Sequence, residues 1–278
     1  MSRAVSINNQ FAHAGLAVYF DEALWRDRER VGRVARLLLD ERWPWLPWYA
    51  SVQGIGRSFD RAAKRVGKTN GAAVLAEWLL EPTASALRLA RSHGDKNHAE
   101  VDLDTGRQGE DAKSDARFRL VMISRCAELP PGKSMREWLA LARDFIVELS
   151  PLNAILGIWP AFDAAVSDAY QLRMVLDTRW GHFEQGVSAP EADHTWRLEI
   201  GKTYARYPRW GTYLSDAHLA AIGGVERIQA EVAPATIERV GTVTYIQLTD
   251  TIETAMSVEC GERRRRLQAV MAPVLAPF

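Results

Sequence analysis

The stretch from Ser134 to Leu149 constrains this chain more than any other. Ser134 and Glu137 form the S-x-x-E pattern of a capping box, in which a serine side chain and a glutamate satisfy orphan donors at a helix start. Met135, Trp138, Leu139, Ala142, Phe145, Ile146 and Leu149 then recur at i, i+3, i+4 and i+7, and Pro151 stops the run. A helix with one wide apolar face must bury it against another layer. The sequence on either side supplies that layer as strands. Gly15–Phe20 and Phe118–Ile123 are rich in β-branched and aromatic residues, Leu87–Arg91 and Ala99–Leu103 alternate apolar with polar, and Ile155–Trp159 is short and apolar. The expected class is α+β, a mixed or antiparallel sheet with helices packed mainly on one face.

Further elements follow the same logic. Val31, Val34, Leu37 and Leu38 mark a helix over Glu29–Glu41, and Gly71–Leu80 marks a short one. Trp43-Pro44-Trp45-Leu46-Pro47-Trp48-Tyr49 holds two prolines, so it reads as an extended or edge segment. A second helix is expected from near Pro160 to Asp177. Trp210–Leu214 reads as a strand, and Ser215 caps a helix that breaks at Gly223-Gly224. Ile237–Val240 and Val243–Leu248 flank Gly241-Thr242 as a hairpin, and a last helix spans Gly261–Met271. The polar, glycine-containing stretch 104–116 is a loop. The whole of 1–278 reads as one α+β domain, with two lobes meeting near 104–116 as the other organisation.

Composition removes whole classes of function. The 278 residues carry 35 Lys+Arg against 35 Asp+Glu, a formal net charge of zero, with 47% hydrophobic residues. Such a chain is not intrinsically disordered. It also lacks the basic balance of a general nucleic-acid binder or a polybasic membrane-surface protein. Met1–Gln10 has no apolar run of signal-peptide length, and no window reaches 18 uninterrupted apolar residues. Cys126 and Cys260 suit two thiols in a reducing compartment. Together these point to a cytoplasmic protein.

Chemistry-bearing patterns are sparse. His182, Glu184, Asp193 and His194 supply N/O ligand types for a metal-dependent hydrolase, but the stretch between them, with Gly186 and Pro190, has no fixed geometry, and hydrogen-bonded surface histidines are the plainer account. There is no G-x-S-x-G elbow, and Cys126 beside Arg125 has no placed histidine. Gly54-Ile55-Gly56-Arg57 lacks the third glycine of a dinucleotide loop. Arg263–Arg266 point all round a helix, and Glu259 and Glu262 stand at i,i+4 to two of them, so a solvated face is expected. No catalytic residue, metal or cofactor is assigned.

Aromatics are the remaining excess, with ten tryptophans. Trp138 is core by periodicity. Trp43, Trp45 and Trp48 pack as a lid or present a partner-binding face, and Arg206-Tyr207-Pro208-Arg209-Trp210-Gly211-Thr212-Tyr213 is the densest aromatic and arginine cluster. The candidate anchors are therefore Arg209, Trp210, Tyr213, Trp45 and Trp48.

Tyr207–Ser215, His218, Ile222-Gly223-Gly224, Ile228, Pro234 and Tyr245-Ile246-Gln247-Leu248-Thr249 together resemble the C-terminal signature of a bacterial group, the type VI immunity family. The resemblance covers Trp180–Pro273, agrees in layout over the N-terminal half, and carries no catalytic residues. It implies an immunity protein that binds a cognate toxic effector of the type VI secretion system and neutralises it by stoichiometric complex formation. The expected partner is that secreted toxin, with no nucleic acid and no membrane, and homo-oligomerisation stays open. The rival functions are the metal-dependent hydrolase above and a chaperone or adaptor that loads an effector onto the secretion apparatus.

Overall fold

The computed structural model describes residues 12–43, 48–54, 61–67, 69–93, 96–104, 120–125, 134–160, 203–205 and 207–275. Ten strands lie in these residues: β1 Ala12–Tyr19, β2 Trp48–Gly54, β3 Arg61–Val66, β4 Ala84–His93, β5 Lys96–Asp104, β6 Leu120–Arg125, β7 Asn153–Pro160, β8 Gly211–Leu214, β9 Thr236–Val240 and β10 Val243–Gln247. They form one sheet in the order β3-β2-β4-β5-β6-β1-β7-β8-β10-β9, and every neighbouring pair is antiparallel. Of the two sheet types expected, the antiparallel one is present.

Residues directly opposite in an antiparallel ladder share a face. Leu16 stands opposite Met122 and Leu156, Leu156 opposite Gly211, Tyr213 opposite Ala154 and Tyr245, and Tyr245 opposite Glu238. These register positions belong to the face on which helix α3, Met135–Leu149, lies. Its cap is as the sequence predicts: Glu137 N–H donates to Ser134 Oγ at 3.2 Å, and Ser134 N–H donates to Glu137 Oε2 at 3.0 Å. Trp138, Leu141, Ala142, Phe145 and Ile146 are fully buried. At full burial Leu141, Phe145 and Ile146 each contribute roughly 1.5–3 kcal/mol of transfer free energy.

Two shorter helices extend this layer. Helix α1 spans Arg28–Leu37 and helix α2 spans Gly71–Leu80, and α1 packs on both α2 and α3. Arg33 Nε meets Glu148 Oε2 at 2.8 Å, and the Arg30 guanidinium donates to Glu148 O and Ser150 Oγ at the end of α3. Gly71 has no room for a side chain, because a Cβ there would lie 2.6 Å from Leu39 Cδ1. The chain after α1 turns sharply. Trp43 donates its indole N–H to Leu37 O at 2.8 Å and sits edge-on to Phe145, with ring centroids 6.2 Å apart.

The other face of the sheet carries helices at its C-terminal end. Helix α4 is Asp216–Ala221, α5 is Gly224–Val232 and α6 is Val258–Val270. Glu238 and Arg239 are successive in β9 and so point to opposite faces. Glu238 pairs with Arg143 of α3 at 2.5 Å, whereas Arg239 pairs with Asp216 of α4. No helix among the described residues is long and apolar enough to cross a membrane.

Several boundaries differ from expectation. The helix begun at Glu29 ends at Leu37, because the turn through Asp40 and Arg42, whose side chains bond each other, redirects the chain. The strand after the two prolines begins at Trp48 and is interior, covered by β3, whose Arg-Ala-Ala-Lys-Arg-Val sequence has no apolar alternation to announce it. The last helix begins at Val258, one turn early, because Ser257 Oγ accepts from Cys260 N–H. Pro160 is the last residue of β7, and the rest of the helix expected to Asp177 lies outside the described residues, as do loop positions 105–116.

Replacing Ser134 with Ala is expected to lower the unfolding free energy by about 1 kcal/mol through the lost cap. Arg136→Ala, on the exposed side of the same turn, should stay within about 0.5 kcal/mol. Urea midpoints of both variants measure the contrast.

Candidate functional site

The residues that carry the family resemblance meet at β8, β10 and the segments following them. Trp210 donates its indole N–H to Thr249 O and Oγ1, both at 3.1 Å. Leu248 N–H donates to Trp210 O at 2.9 Å, and Arg263 holds Leu248 O at 2.6 Å. Thr212 Oγ1 accepts from Arg209 N–H at 3.2 Å. Tyr213 and Tyr245 stack with centroids 4.6 Å apart and planes 25° apart. Gly211 is glycine for a packing reason: a Cβ there would lie 2.9 Å from Tyr245 Cε2 and 3.2 Å from Leu156 Cβ. The Tyr245 hydroxyl donates to Gln247 Oε1 at 3.1 Å, and Gln247 Nε2 donates to Thr249 O and Asp250 O.

The helical part of the set is equally structural. Ser215 caps α4, and its Oγ lies 2.9 Å from His218 Nδ1. Gly223 at φ +90° and Gly224 at φ +86° make the left-handed turn into α5, where a side chain would be strained. Arg227 closes the turn by donating to Ile222 O at 3.2 Å.

Arg209, Trp210 and Tyr213, candidates for a partner-facing cluster by sequence, are thus 5%, 4% and 3% exposed. The Trp210 and Tyr213 side chains hold the sheet and the following loop together, and all three residues offer a partner almost no surface. Trp45 lies outside the described residues, and Trp48 is the first residue of β2. Of the tryptophan group, Trp43 is core at 2% exposed. His182, Glu184, Asp193 and His194 lie outside the described residues, and among the described residues no group of three or more His, Cys, Asp or Glu side chains is placed to hold a metal.

Electrostatics follow burial. Desolvation pushes the Tyr213 and Tyr245 phenols well above their ordinary range and raises the Cys260 thiol, so all three stay protonated. His218, 1% exposed, is held below its usual range by burial, partly offset by the nearby Leu152 backbone. Asp216 is lowered mainly by its hydrogen bond to Arg239.

What remains accessible around this unit is its rim. Arg143 and Glu238 bridge α3 to β9, Asp216 and Arg239 bridge α4 to β9, and Val147 is 47% exposed beside the Gly241 turn. Single-sequence periodicity does not reveal these pairs, since Arg143 and Glu238 are 95 residues apart. A separate cleft of about 480 Å³ opens between α1 and α2, lined by Arg36, Leu39, Asp40, Glu41, Arg42 and Ala72. Inside it Arg42 is clamped by Asp40 and by Asp144 at 2.7 Å. Among the described residues the large hydrophobics left exposed are Tyr49, Val147 and Val258.

No family model and no curated protein matches this chain. Its fold is similar to that of a Pseudomonas aeruginosa T6SS protein, PA0821. The TM-score is 0.62 over 95% of this chain and 73% of that one, at 14% sequence identity. At that identity the likeness is one of fold.

Gly211→Ala is expected to destabilise the fold by about 1–3 kcal/mol, as overpacking does in a rigid core, read from the urea midpoint. His218 sets a pH dependence whose sign follows from its burial. Its folded-state pKa lies below the unfolded one, so as pH falls through about 6.5 the unfolded chain takes up a proton first and stability drops. Between pH 7.5 and 5, a His218→Gln variant should lose less stability than the parent in paired thermal melts.

Proposed function

We propose that this chain is a type VI immunity protein, a cytoplasmic inhibitor that binds a cognate toxic effector of the secretion system and neutralises it in a stoichiometric complex. The observation that carries this is the fold likeness to a T6SS protein along 95% of the chain. The signature residues support it in a specific way. Trp210, Thr212, Tyr213, Tyr245 and Gln247 build a rigid scaffold, the property an inhibitor needs to bind without large ordering costs. Neutralisation by contact requires a patch of roughly 800 Å² per partner and a few anchors, with no chemistry from the inhibitor. The net charge of zero makes shape and local ion pairs, rather than a global field, the basis of recognition.

In cells producing its cognate toxin, co-expression of this chain is expected to restore growth, and the two proteins should elute as an equimolar complex in size-exclusion chromatography with light scattering. Neither rescue nor complex would sink the proposal. An effector that needs this chain for export, while its producer survives without it, would point to the loading adaptor instead.

A further inference from the structure

Among the described residues no strand lies beyond β9, so its outer edge ends the sheet. Its backbone register with β10 is unbroken over Thr236–Val240, and the hairpin closes through Gly241 and Thr242. Gly241 has φ +58° and Thr242 is not left-handed, the pattern of a type II′ turn. In a two-residue hairpin the flanking pair, Val240 and Val243, exchanges both backbone hydrogen bonds, and so does the pair two residues on, Glu238 and Tyr245. Ile237 and Arg239 therefore turn their N–H and C=O groups outward, away from β10.

Edge strands usually carry charges that block further pairing. The opposite edge does so: the β3 sequence holds three basic residues, of which Arg65 is exposed, and its register with β2 is broken between Ala50 and Val52. On β9 both charges are drawn off the edge. Glu238 is held back by Arg143 on one face, and Arg239 by Asp216 and Gly241 O on the other. The row of backbone groups between them is regular.

Symmetry argues against a second copy as the occupant. In a two-fold antiparallel pairing of β9 with itself, opposed residues must share a face, so the two-fold falls on a residue. The register that overlaps all five residues centres on Glu238 and sets it against its own copy, and like charges directly opposite are destabilising. A strand of different sequence has no such conflict.

We propose that the outer edge of β9 receives an extended strand from a different protein by main-chain pairing, which on the immunity reading is the toxin. The strand that fits has an acidic residue opposite Arg239, a basic one opposite Glu238 and an apolar one opposite Ile237. In antiparallel register it reads acidic–basic–apolar from N to C, with backbone bonds supplying affinity and the flanking charges supplying choice.

The test uses the full chain and a phage-displayed library of linear peptides. Enriched peptides are expected to carry that alternation and to slow amide exchange at Ile237 and Arg239 at least tenfold by NMR, with little change at Glu238 and Val240, which already bond β10. Arg239→Ala removes the ion pair alone, whereas Arg239→Pro also removes an outward N–H at a position where an edge strand tolerates proline. Peptide binding should be at least tenfold weaker to the proline variant than to the alanine variant. If the proline variant does not fold, exchange in the parent decides. No enrichment, protection elsewhere, or equal binding to the two variants overturns the proposal. So does a dimer of the free chain in sedimentation that Arg239→Ala preserves and Arg239→Pro dissociates. Toxin rescue with these two amides left unprotected in the toxin complex would overturn the edge and leave the immunity function standing. Failed rescue with a protected edge would do the reverse.

Discussion

Strand β1 is bonded along both edges, to β6 over six residue pairs and to β7 over eight, and the ten-stranded sheet is continuous only through it. On one side lie the five strands β3, β2, β4, β5 and β6, and on the other β7, β8, β10 and β9. Ala14, Leu16 and Val18 of β1 are fully buried. Their neighbours across the ladder, Ile158, Leu156 and Ala154, come from a part of the sequence beyond the helix that covers them. Such pairing costs loop-closure entropy before it gains contacts, so β1 depends on partners, β6 and β7, that lie far along the chain. With both edges bonded, its backbone polar groups are satisfied without water.

The C-terminal signature extends that frame. β8 adds to β7 through Ala154–Tyr213 and Leu156–Gly211, and the missing side chain at Gly211 lets the Tyr245 ring settle over the join. Trp210 then ties the end of β10 to the start of β8 through Thr249. A segment that reads in isolation as a cluster of surface anchors is a set of internal fasteners, and its aromatic content reflects packing. At the rim, β9 stands between two helices and is held by an ion pair on each face.

The two ends of the sheet are treated differently, and that difference gives the molecule a direction. β3 is basic in sequence and irregularly paired, properties that discourage further strands. β9 has its charges turned onto α3 and α4 and its backbone in even register. On the strand-pairing proposal, main-chain bonds at this edge would fix the register of an added strand and the flanking charges would select it.

Local chemistry was legible in the sequence wherever it acts over a few residues. The Ser134–Glu137 box, the limits of Gly71–Leu80, the Ser215 cap, the Gly223-Gly224 turn and the hairpin at Gly241 are each set by bonds or dihedrals within about four positions, and each is where the pattern puts it. The start at Ser257 is not legible because Val258–Arg266 is mostly polar and shows no clear helical apolar period, and β3 is not because Arg61–Val66 lacks a two-residue apolar period. Sequence alone determined an α+β chain with its longest helix one-sided and a neutral surface, because periodicity, capping and charge are properties of neighbouring residues. Only the tertiary structure decided that Arg209, Trp210 and Tyr213 are internal, that β2 is interior, and that Glu238 and Arg239 leave the β9 edge open. Burial and pairing of those residues depend on partners far away in the chain, and no local pattern encodes which distant segment arrives.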